Sequence, residues 1–209
     1  MFGLPKSTEL ERPQQIPKTT IFATFQMNAS EKAQINEDIS RISITNEFSK
    51  TKISIEEGTN IKKFFVMNVA IKNKEFRDAT IVKITKLIPQ NILMVLNYEN
   101  EVKLAVYHTK LLQTDWMSKA DCNIEIKGMN LDAVWDNIIA QIGGLVNDSS
   151  LSIDEQLVLK EKKEKLEKEI AKLERQARAE NQPRKKFEIV KQIQKLQNEV
   201  SRLQVEGFN

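Results

Sequence analysis

The chain has 209 residues, of which 40% are hydrophobic and 29% are charged, and its formal net charge is +3 at pH 7. These values are typical of one globular domain of about 150 residues with an appendage, and so small a positive excess does not by itself indicate nucleic-acid binding. No apolar stretch approaches the ~20 residues that a membrane-spanning helix needs, and the amino terminus lacks the features of a signal peptide. We therefore expect a cytoplasmic protein without membrane contact.

The amino-terminal half combines a proline-containing start with a helix and several strands. Residues 1–20 carry three prolines and few periodic apolar residues, which predicts an irregular arm. The segment Asn28-Ala29-Ser30-Glu31 has the spacing of a capping box, with Asn28 as the N-cap of a helix. Alternating apolar residues over 42–46 and 52–55 predict two half-buried strands, and the mostly apolar run 63–71 predicts a strand near the sheet centre.

The second half of the domain repeats this mixture of helix and strand. Residues 78–87 predict a helix that stops before Pro89, and 92–96 and 102–106 predict a hairpin of two strands. A further strand is predicted over 124–127, followed by a helix that begins at Asn130 or Asp132 and ends at Gly143-Gly144. The pattern predicts an α+β domain over 21–146, with a mainly antiparallel sheet flanked by about three helices.

The last third of the chain predicts an antiparallel helical hairpin over 152–206, joined to the domain by a linker over 147–151. Its apolar residues recur mostly at spacings of three and four, which is typical of a coiled-coil seam, and Pro183 marks the turn. Such a seam either closes within the chain or presents apolar surface to another protein, and we favour partner binding. The predicted partner-binding residues are Leu159, Leu166, Ile170, Leu173, Ile193, Leu196, Val200 and Leu203.

The turn of the hairpin is the one place where positive charge accumulates. Only Glu180 and Glu188 lie close enough to offset it. Basic side chains fanned at the end of a rod are suited to contact phosphates, although a solvated helix end gives the same composition. The predicted nucleic-acid-binding residues are Arg175, Arg178, Arg184, Lys185 and Lys186.

Residues suited to catalysis are few. Cys122 and His108 are the only cysteine and histidine, so a nucleophile–base pair is conceivable, but Cys122 as buried filler is the favoured interpretation. In Thr114-Asp115-Trp116, Asp115 suits a base and Trp116 a stacking platform, yet packing of Trp116 on the sheet edge and a turn-capping role for Asp115 are favoured. No glycine-rich phosphate loop and no metal-ligand set are found, so we expect no cofactor, no metal and no enzyme activity.

The predicted order of helix, three strands, helix and strand also occurs in the core of restriction-type nucleases. Such enzymes hold a metal ion with an acidic-x-lysine triplet on the third core strand. The matching triplet here is Ala70-Ile71-Lys72, and Asn68 is a poor substitute for the missing carboxylate. A degenerate or cryptic nuclease core is therefore the weakest of the functional hypotheses.

Several short motifs together resemble bacterial domain-of-unknown-function family 4391. They are Gly3-Leu4-Pro5-Lys6-Ser7-Thr8-Glu9, Ile16-Pro17-Lys18, Ile88-Pro89 with the strand that follows, Thr114-Asp115-Trp116, and Gly128-Met129-Asn130-Leu131-Asp132-Ala133-Val134-Trp135. The resemblance extends over nearly the whole chain. It implies no established catalytic residues, and it implies an accessory role beside helicases and DNA methyltransferases in restriction-like or antiviral gene clusters. Gln113 departs from the histidine that the family often has before the Thr-Asp-Trp triplet.

These observations give one leading hypothesis and two alternatives. The leading hypothesis is a non-catalytic accessory subunit of a bacterial antiphage or restriction-like complex, which docks onto a larger helicase, DNA methyltransferase or nuclease. The first alternative is a module that binds DNA or RNA through the basic tip of the hairpin, and the second is the cryptic nuclease. Pairing of two copies of the chain through the hairpin is a further expectation.

Overall fold

The computed structural model describes residues 2–146 and 151–207. The chain divides into two compact units, Met1–Gly144 and Leu145–Asn209. We call the first unit the sheet domain and the second the hairpin. Most of the predicted linker over 147–151 lies outside the described residues; only Leu151 belongs to them.

The sheet domain is built on a seven-stranded sheet with the order β1-β2-β3-β4-β5-β6, and β7 pairs with β5 beside β6. Its strands are β1 (Glu9–Gln15), β2 (Ile39–Ser49), β3 (Lys63–Ile71), β4 (Asn91–Tyr98), β5 (Glu101–Tyr107), β6 (Leu111–Gln113) and β7 (Met117–Ser118). Its helices are α1 (Lys18–Thr24), α2 (Ala29–Asp38), α3 (Asp78–Thr85) and α4 (Leu131–Gly143). The predicted α+β class is confirmed, with four helices in this unit rather than about three.

The sheet is mixed. β3 and β4 are parallel, whereas every other described strand pair is antiparallel. The reason is the helix between them: α3 carries the chain back along the sheet, so β4 begins at the same end as β3. The prediction of a mainly antiparallel sheet is therefore refined to a mixed one, and the predicted hairpin of β4 and β5 is confirmed.

Helices cover both faces of the sheet. On one face, Ile21 of α1, Ile35 of α2 and Ile81 of α3 pack with Met67 and Met94 of the central strands. On the other face, the rings of Phe48 and Phe64 stack 4.5 Å apart, and the ring of Trp135 in α4 lies 5.1 Å from Phe64. Burial on both faces explains why β3 and β4 are almost continuously apolar.

The predicted irregular arm over 1–20 is wrong. A short 3-10 helix, Lys6–Thr8, leads into β1, which pairs with β2 as an edge strand. Thr8 is fully buried, and its hydroxyl accepts a hydrogen bond from the Asn46 side chain at 2.9 Å. Pro13 is compatible with this position because an edge strand does not need every N–H group for pairing. The prolines therefore mark an edge rather than the absence of structure.

Two other predicted strands do not form. Over 52–55, the N–H groups of Lys52 and Ile53 both donate to the carbonyl of Ser49, so the segment closes a turn. Over 124–127, the N–H of Ile124 donates to the carbonyl of Phe2, and the Gln141 side chain bonds both backbone groups of Glu125. Ile53 and Ile124 are buried, and Ile55 and Ile126 are half-buried, without a neighbouring strand.

Helix ends in the sheet domain follow the predicted caps. The Asn28 side chain accepts from the Glu31 N–H while Glu31 reaches back to the Asn28 N–H, which completes the capping box. Asn130 caps α4 by accepting from the Ala133 N–H at 2.9 Å, and Gly144 ends the helix in the left-handed conformation. These predictions are confirmed because they depend only on residues within one turn of each other.

The hairpin consists of two long helices, α5 (Ile153–Ala179) and α6 (Pro183–Gly207), which pack together. Ser152 and Glu155 form a second capping box at the start of α5. Pro183 occupies the first position of α6, where its missing N–H is not needed. None of the described helices, in either unit, is both long enough and apolar enough to cross a bilayer.

Candidate interaction surfaces

The seam of the hairpin closes within the chain. Ile193 and Leu203 are buried, and Lys162 of α5 forms an ion pair with Glu199 of α6 at 2.8 Å. The other predicted partner-binding residues are half-buried: Leu159, Leu166, Ile170, Leu173, Leu196 and Val200. All eight are thus at least partly withdrawn from solvent, and their binding of a second protein stays a prediction.

Among the described side chains of α5 and α6, three large apolar ones are exposed and lie outside the seam. Val158 is 65% exposed near the start of α5, and Phe187 and Val190 are 70% and 38% exposed just after the turn. At a rise of ~1.5 Å per residue, the 27 residues of α5 span about 40 Å, so the exposed residues lie near opposite ends of the rod. A two-helix rod has no third layer with which to cover such residues.

The hairpin tip carries seven basic and three acidic residues between Lys172 and Lys191. All five predicted nucleic-acid-binding residues are exposed. The ion pairs seen on the described part of the hairpin lie closer to its base, at Lys162, Lys163 and Lys165. In that same part of the chain, none of the five tip cations forms an ion pair with a carboxylate. Within the described residues, the tip therefore carries positive charge that no ion pair neutralises.

Gln156 is a structural residue that sequence reasoning missed. It is buried, and its side-chain amide donates to the carbonyls of Val146 and Leu151 while its oxygen accepts from the Val146 N–H. These bonds fold the start of the hairpin unit back onto α5. A glutamine among many polar helix residues carries no signal from which this role could be read.

Cys122 and His108 do not form a nucleophile–base pair. The Cys122 N–H bonds Ser118, which pairs with Glu101 at the start of β5, whereas His108 follows the end of that strand. The seven residues of β5 separate them by roughly 20 Å. Burial also raises the pKa of the Cys122 thiol, which disfavours the reactive thiolate. The predicted burial of Cys122 is confirmed.

The residues that suggested a nuclease core have structural partners. The Lys72 ammonium donates to the carbonyl of Asn36 at the end of α2, at 2.6 Å, and Asn68 accepts from the Asn97 side chain at 2.7 Å. Only two strands, β2 and β3, connect α2 to α3, since the segment 52–55 is a turn. Within the described residues, no group of three or more His, Cys, Asp or Glu side chains could hold a metal ion.

A shallow cavity of about 240 Å³ lies over the sheet beside Asn68. Its lining includes Phe2, Leu4 and Pro13 and the two amide side chains of Asn46 and Asn68. The Asn46 side chain donates a hydrogen bond to the Thr8 hydroxyl, which holds the amino-terminal segment on the sheet. The Asn68 side chain accepts a hydrogen bond from Asn97, which links β3 to β4.

A cluster of aromatic and basic side chains forms at the end of β3 and β4. The Trp116 ring makes edge contacts with Phe76 and Tyr98, both at 6.4 Å between centroids. The ammonium groups of Lys74 and Lys103 lie 5.7 Å and 5.5 Å from the centre of the same ring. We call these five residues the Trp116 cluster. Trp116 packs against the sheet as favoured from the sequence. Asp115 is exposed: its backbone carbonyl accepts from the Thr114 hydroxyl at 2.9 Å, but its carboxylate has no hydrogen-bond partner among the described residues, so the predicted turn cap by this side chain does not form.

Comparison with known protein families gives one match. Residues 2–200 match the family described as Domain of unknown function (DUF4391). The chain belongs to this family. The resemblance inferred from its motifs is thereby confirmed, and the match includes both the sheet domain and most of the hairpin. Comparisons with curated proteins and with solved structures give no match.

The motifs that carry this DUF4391 membership mainly support the fold. Gly3 lies so close to Asn123 and the Ile124 carbonyl that a side chain there would collide with them. In the Gly-Met-Asn-Leu-Asp motif, the Asp132 carboxylate accepts hydrogen bonds from the N–H groups of Asn60 and Ile61. The exception is Thr114-Asp115-Trp116, whose tryptophan is the centre of the Trp116 cluster.

Proposed function

We propose that this protein is a non-catalytic interaction subunit that docks through its helical hairpin onto a larger protein. The observation that carries the proposal is the incomplete burial of the hairpin: most seam residues keep part of their surface exposed, and Val158, Phe187 and Val190 lie outside the seam. A partner that packs against the rod would remove these side chains from water, which stabilises a complex by about 25 cal/mol per Å².

The class of partner rests on the family resemblance. That resemblance favours a helicase, a DNA methyltransferase or a nuclease of a bacterial restriction-like or antiphage system. A rod of this kind contacts a partner through an extended apolar strip, as amphipathic helices do in hydrophobic grooves. We place the protein in the cytoplasm, where such complexes act on DNA, and assign it no cofactor.

The test is recovery of the partner with the full-length chain from its native host. We expect a stoichiometric helicase, methyltransferase or nuclease, identified by mass spectrometry, with the unmodified chain. The variant with Val158→Gln, Phe187→Gln and Val190→Gln should lose it while keeping its helical circular dichroism, because these side chains do not contribute to the seam. The control Gln192→Ala with Gln197→Ala changes exposed polar residues of α6 and should retain the partner.

Two results would overturn this proposal. One is equal recovery of the partner with the Val158, Phe187 and Val190 variant and with the control. The other is light scattering in which the chain forms a stable dimer that the same three substitutions dissociate, because a second copy would then be the occupant of the exposed residues.

We propose nucleic-acid binding through the hairpin tip as the second candidate function. The observation that favours it is the absence of ion pairs at the five exposed tip cations within the described hairpin. Each phosphate that a cation neutralises adds about 0.9 to the slope of log affinity against log salt concentration for duplex DNA. The reversal Arg178→Glu, Arg184→Glu and Lys185→Glu should therefore flatten this slope.

The matched control moves the same charge change away from the tip. Lys168→Glu, Lys195→Glu and Arg202→Glu also alter three exposed cations of the hairpin. We expect the control to keep most of the slope. Equal losses in both variants, or no binding of DNA or RNA by the unmodified chain at low salt, would rule out a phosphate contact specific to the tip.

A further inference from the structure

The Trp116 cluster joins residues from four segments of the sheet domain. Lys74 and Phe76 follow β3, Tyr98 ends β4, Lys103 lies in β5, and Trp116 follows β6. Tyr98 pairs with Glu101, and Leu96 pairs with Lys103, so Tyr98 and Lys103 share one face of the sheet. The cluster lies where the parallel strands β3 and β4 end, which is where open sheets most often bind ligands.

The two lysines of the cluster differ in how far they are neutralised. Lys74 forms an ion pair with Glu101 and lies 5.8 Å from the centre of the Tyr98 ring. Lys103 is half-buried and lies over Trp116, and it has no carboxylate partner among the described residues. Desolvated cations over an aromatic ring are attracted to it, but the ring does not cancel their charge. Lys103 therefore leaves a positive charge beside an aromatic surface.

Two side-chain oxygens next to the cluster in the sequence are buried and have no donor among the described residues. They are the side-chain oxygens of Asn73, next to Lys74, and of Gln113, three residues before Trp116. The Gln113 amide nitrogen is held by Asp78 at 2.8 Å, at the start of the helix that follows Phe76, so the orientation of its oxygen is fixed. A buried acceptor without a donor is unfavourable, and an N–H group of a ligand that bonds it would satisfy it.

We infer that the Trp116 cluster binds a nucleotide, with its base against the aromatic rings and its phosphate at Lys103 and Lys74. The aromatic side chains supply stacking, the lysines supply charge, and the oxygens of Asn73 and Gln113 accept from the amino group of a base. The same chemistry is offered by a free mononucleotide and by a nucleotide unit within a single strand. The cluster is formed by residues of the sheet domain, and the inference does not depend on the function proposed for the hairpin.

The two tryptophans of the chain allow a direct test. Trp135 is buried against Phe64, so the full-length variant Trp135→Phe leaves Trp116 as the only tryptophan. We expect a saturable change of Trp116 fluorescence on addition of single-stranded oligoadenylate. A change with oligoadenylate but not with AMP assigns the site to a single strand, and a change with both assigns it to a mononucleotide. The absence of a saturable change with either probe overturns the inference.

The structure supplies a matched charge control on the same face of the sheet. Lys86 lies 5.4 Å from the centre of the Tyr107 ring, which repeats the lysine–aromatic contact at the other end of β5. Lys103→Glu should weaken binding, whereas Lys86→Glu should leave it nearly unchanged. Equal effects of the two reversals would show attraction to net charge alone and would overturn the site.

A second measurement keeps the test independent of the Trp135→Phe background. Anisotropy of a labelled oligoadenylate, or displacement of a labelled AMP, reports binding to the otherwise unmodified chain. Trp116→Leu should weaken that binding roughly 5- to 150-fold, the range expected for one stacked base. The hairpin reversal at Arg178, Arg184 and Lys185 should leave the Trp116 fluorescence change in place. Loss of the change in that variant would assign the nucleotide to the tip instead.

Discussion

In the sheet domain, Phe48, Phe64 and Leu93 have no measurable exposure, whereas in the hairpin Leu166, Ile170 and Leu196 remain half-buried. The sheet has helices on both faces, so a side chain on either face of a strand meets a second layer. The described part of the hairpin has two helices, so a residue of the seam packs against one other helix. The sheet domain therefore satisfies its apolar residues internally, and the hairpin leaves surface for another molecule.

The largest expected effect follows from this difference in burial. Phe64→Ala removes the ring that lies between Phe48 and Trp135 and should lower the free energy of unfolding of the sheet domain by about 3–5 kcal/mol. Leu166→Ala should lower that of the hairpin by only about 1 kcal/mol, since Leu166 is half-buried.

Two spectroscopic signals separate the units in a urea titration. Both tryptophans lie in the sheet domain and report its unfolding, whereas far-ultraviolet circular dichroism weights the two long helices. Comparable losses from Phe64→Ala and Leu166→Ala would contradict the contrast between a fully buried core and a partly buried seam.

A smaller effect is expected at Asp132, which joins the β2–β3 loop to the start of α4. Desolvation opposes ionisation of Asp132, but hydrogen bonds from the N–H groups of Asn60, Ile61 and Thr59 outweigh it and lower its pKa. Because the pKa in the folded state lies below that of the unfolded chain, the ionised group stabilises the fold above the unfolded pKa. This stabilisation disappears as the pH falls through the folded pKa.

Asp132→Asn tests that linkage. The substitution keeps the size of the side chain and removes its charge, so we expect a loss of about 1–2 kcal/mol at neutral pH and a smaller loss in acid. Urea titrations of both proteins between neutral and acid pH measure the difference. A difference that stays constant with pH would show that the charge of Asp132 has no role.

The smallest effect is expected from the ion pair between Lys162 and Glu199. Both side chains are about half exposed, so a double-mutant cycle with Lys162→Met and Glu199→Gln should give a coupling smaller than the effects of Leu166→Ala and Asp132→Asn. The coupling should decrease at high salt, as expected for an exposed pair. A coupling as large as those effects, or one that salt does not change, would mean that the pair is shielded from solvent.

Elements with a local signal were predicted well from the sequence. The capping box at Asn28, the cap at Asn130, the apolar strand of Phe64 and Met67 and the long helices around Pro183 all depend on residues within a few positions of each other. The segment with Pro13 was mispredicted because its pairing partner, β2, is more than twenty residues away. The segments 52–55 and 124–127 show the opposite error: they are predicted as strands but form none. Alternating apolar residues indicate that one side of a segment is buried, and they do not show that another strand pairs with it.

The candidate sites also divide into those that a local sequence pattern predicts and those that depend on contacts between distant residues. The basic tip is visible in the sequence because its cations surround one turn, and the helical seam is visible because it is periodic. The sequence does not predict the Trp116 cluster as a whole. The Thr-Asp-Trp triplet indicates Trp116, but no local pattern connects Lys74, Tyr98 and Lys103 with it. Their meeting depends on the parallel pairing of β3 with β4 and on the register of β5.

The sequence by itself determined the α+β class, most of the elements, the hairpin and its charged tip. Only the tertiary structure decided that the sheet is mixed, that the proline-containing start forms an edge strand, that Cys122 and His108 lie at opposite ends of β5, and that the aromatic and basic side chains converge on Trp116. Local structure follows from periodicity and caps within a few residues, whereas strand order and register arise from contacts between distant segments, which no short window of sequence contains.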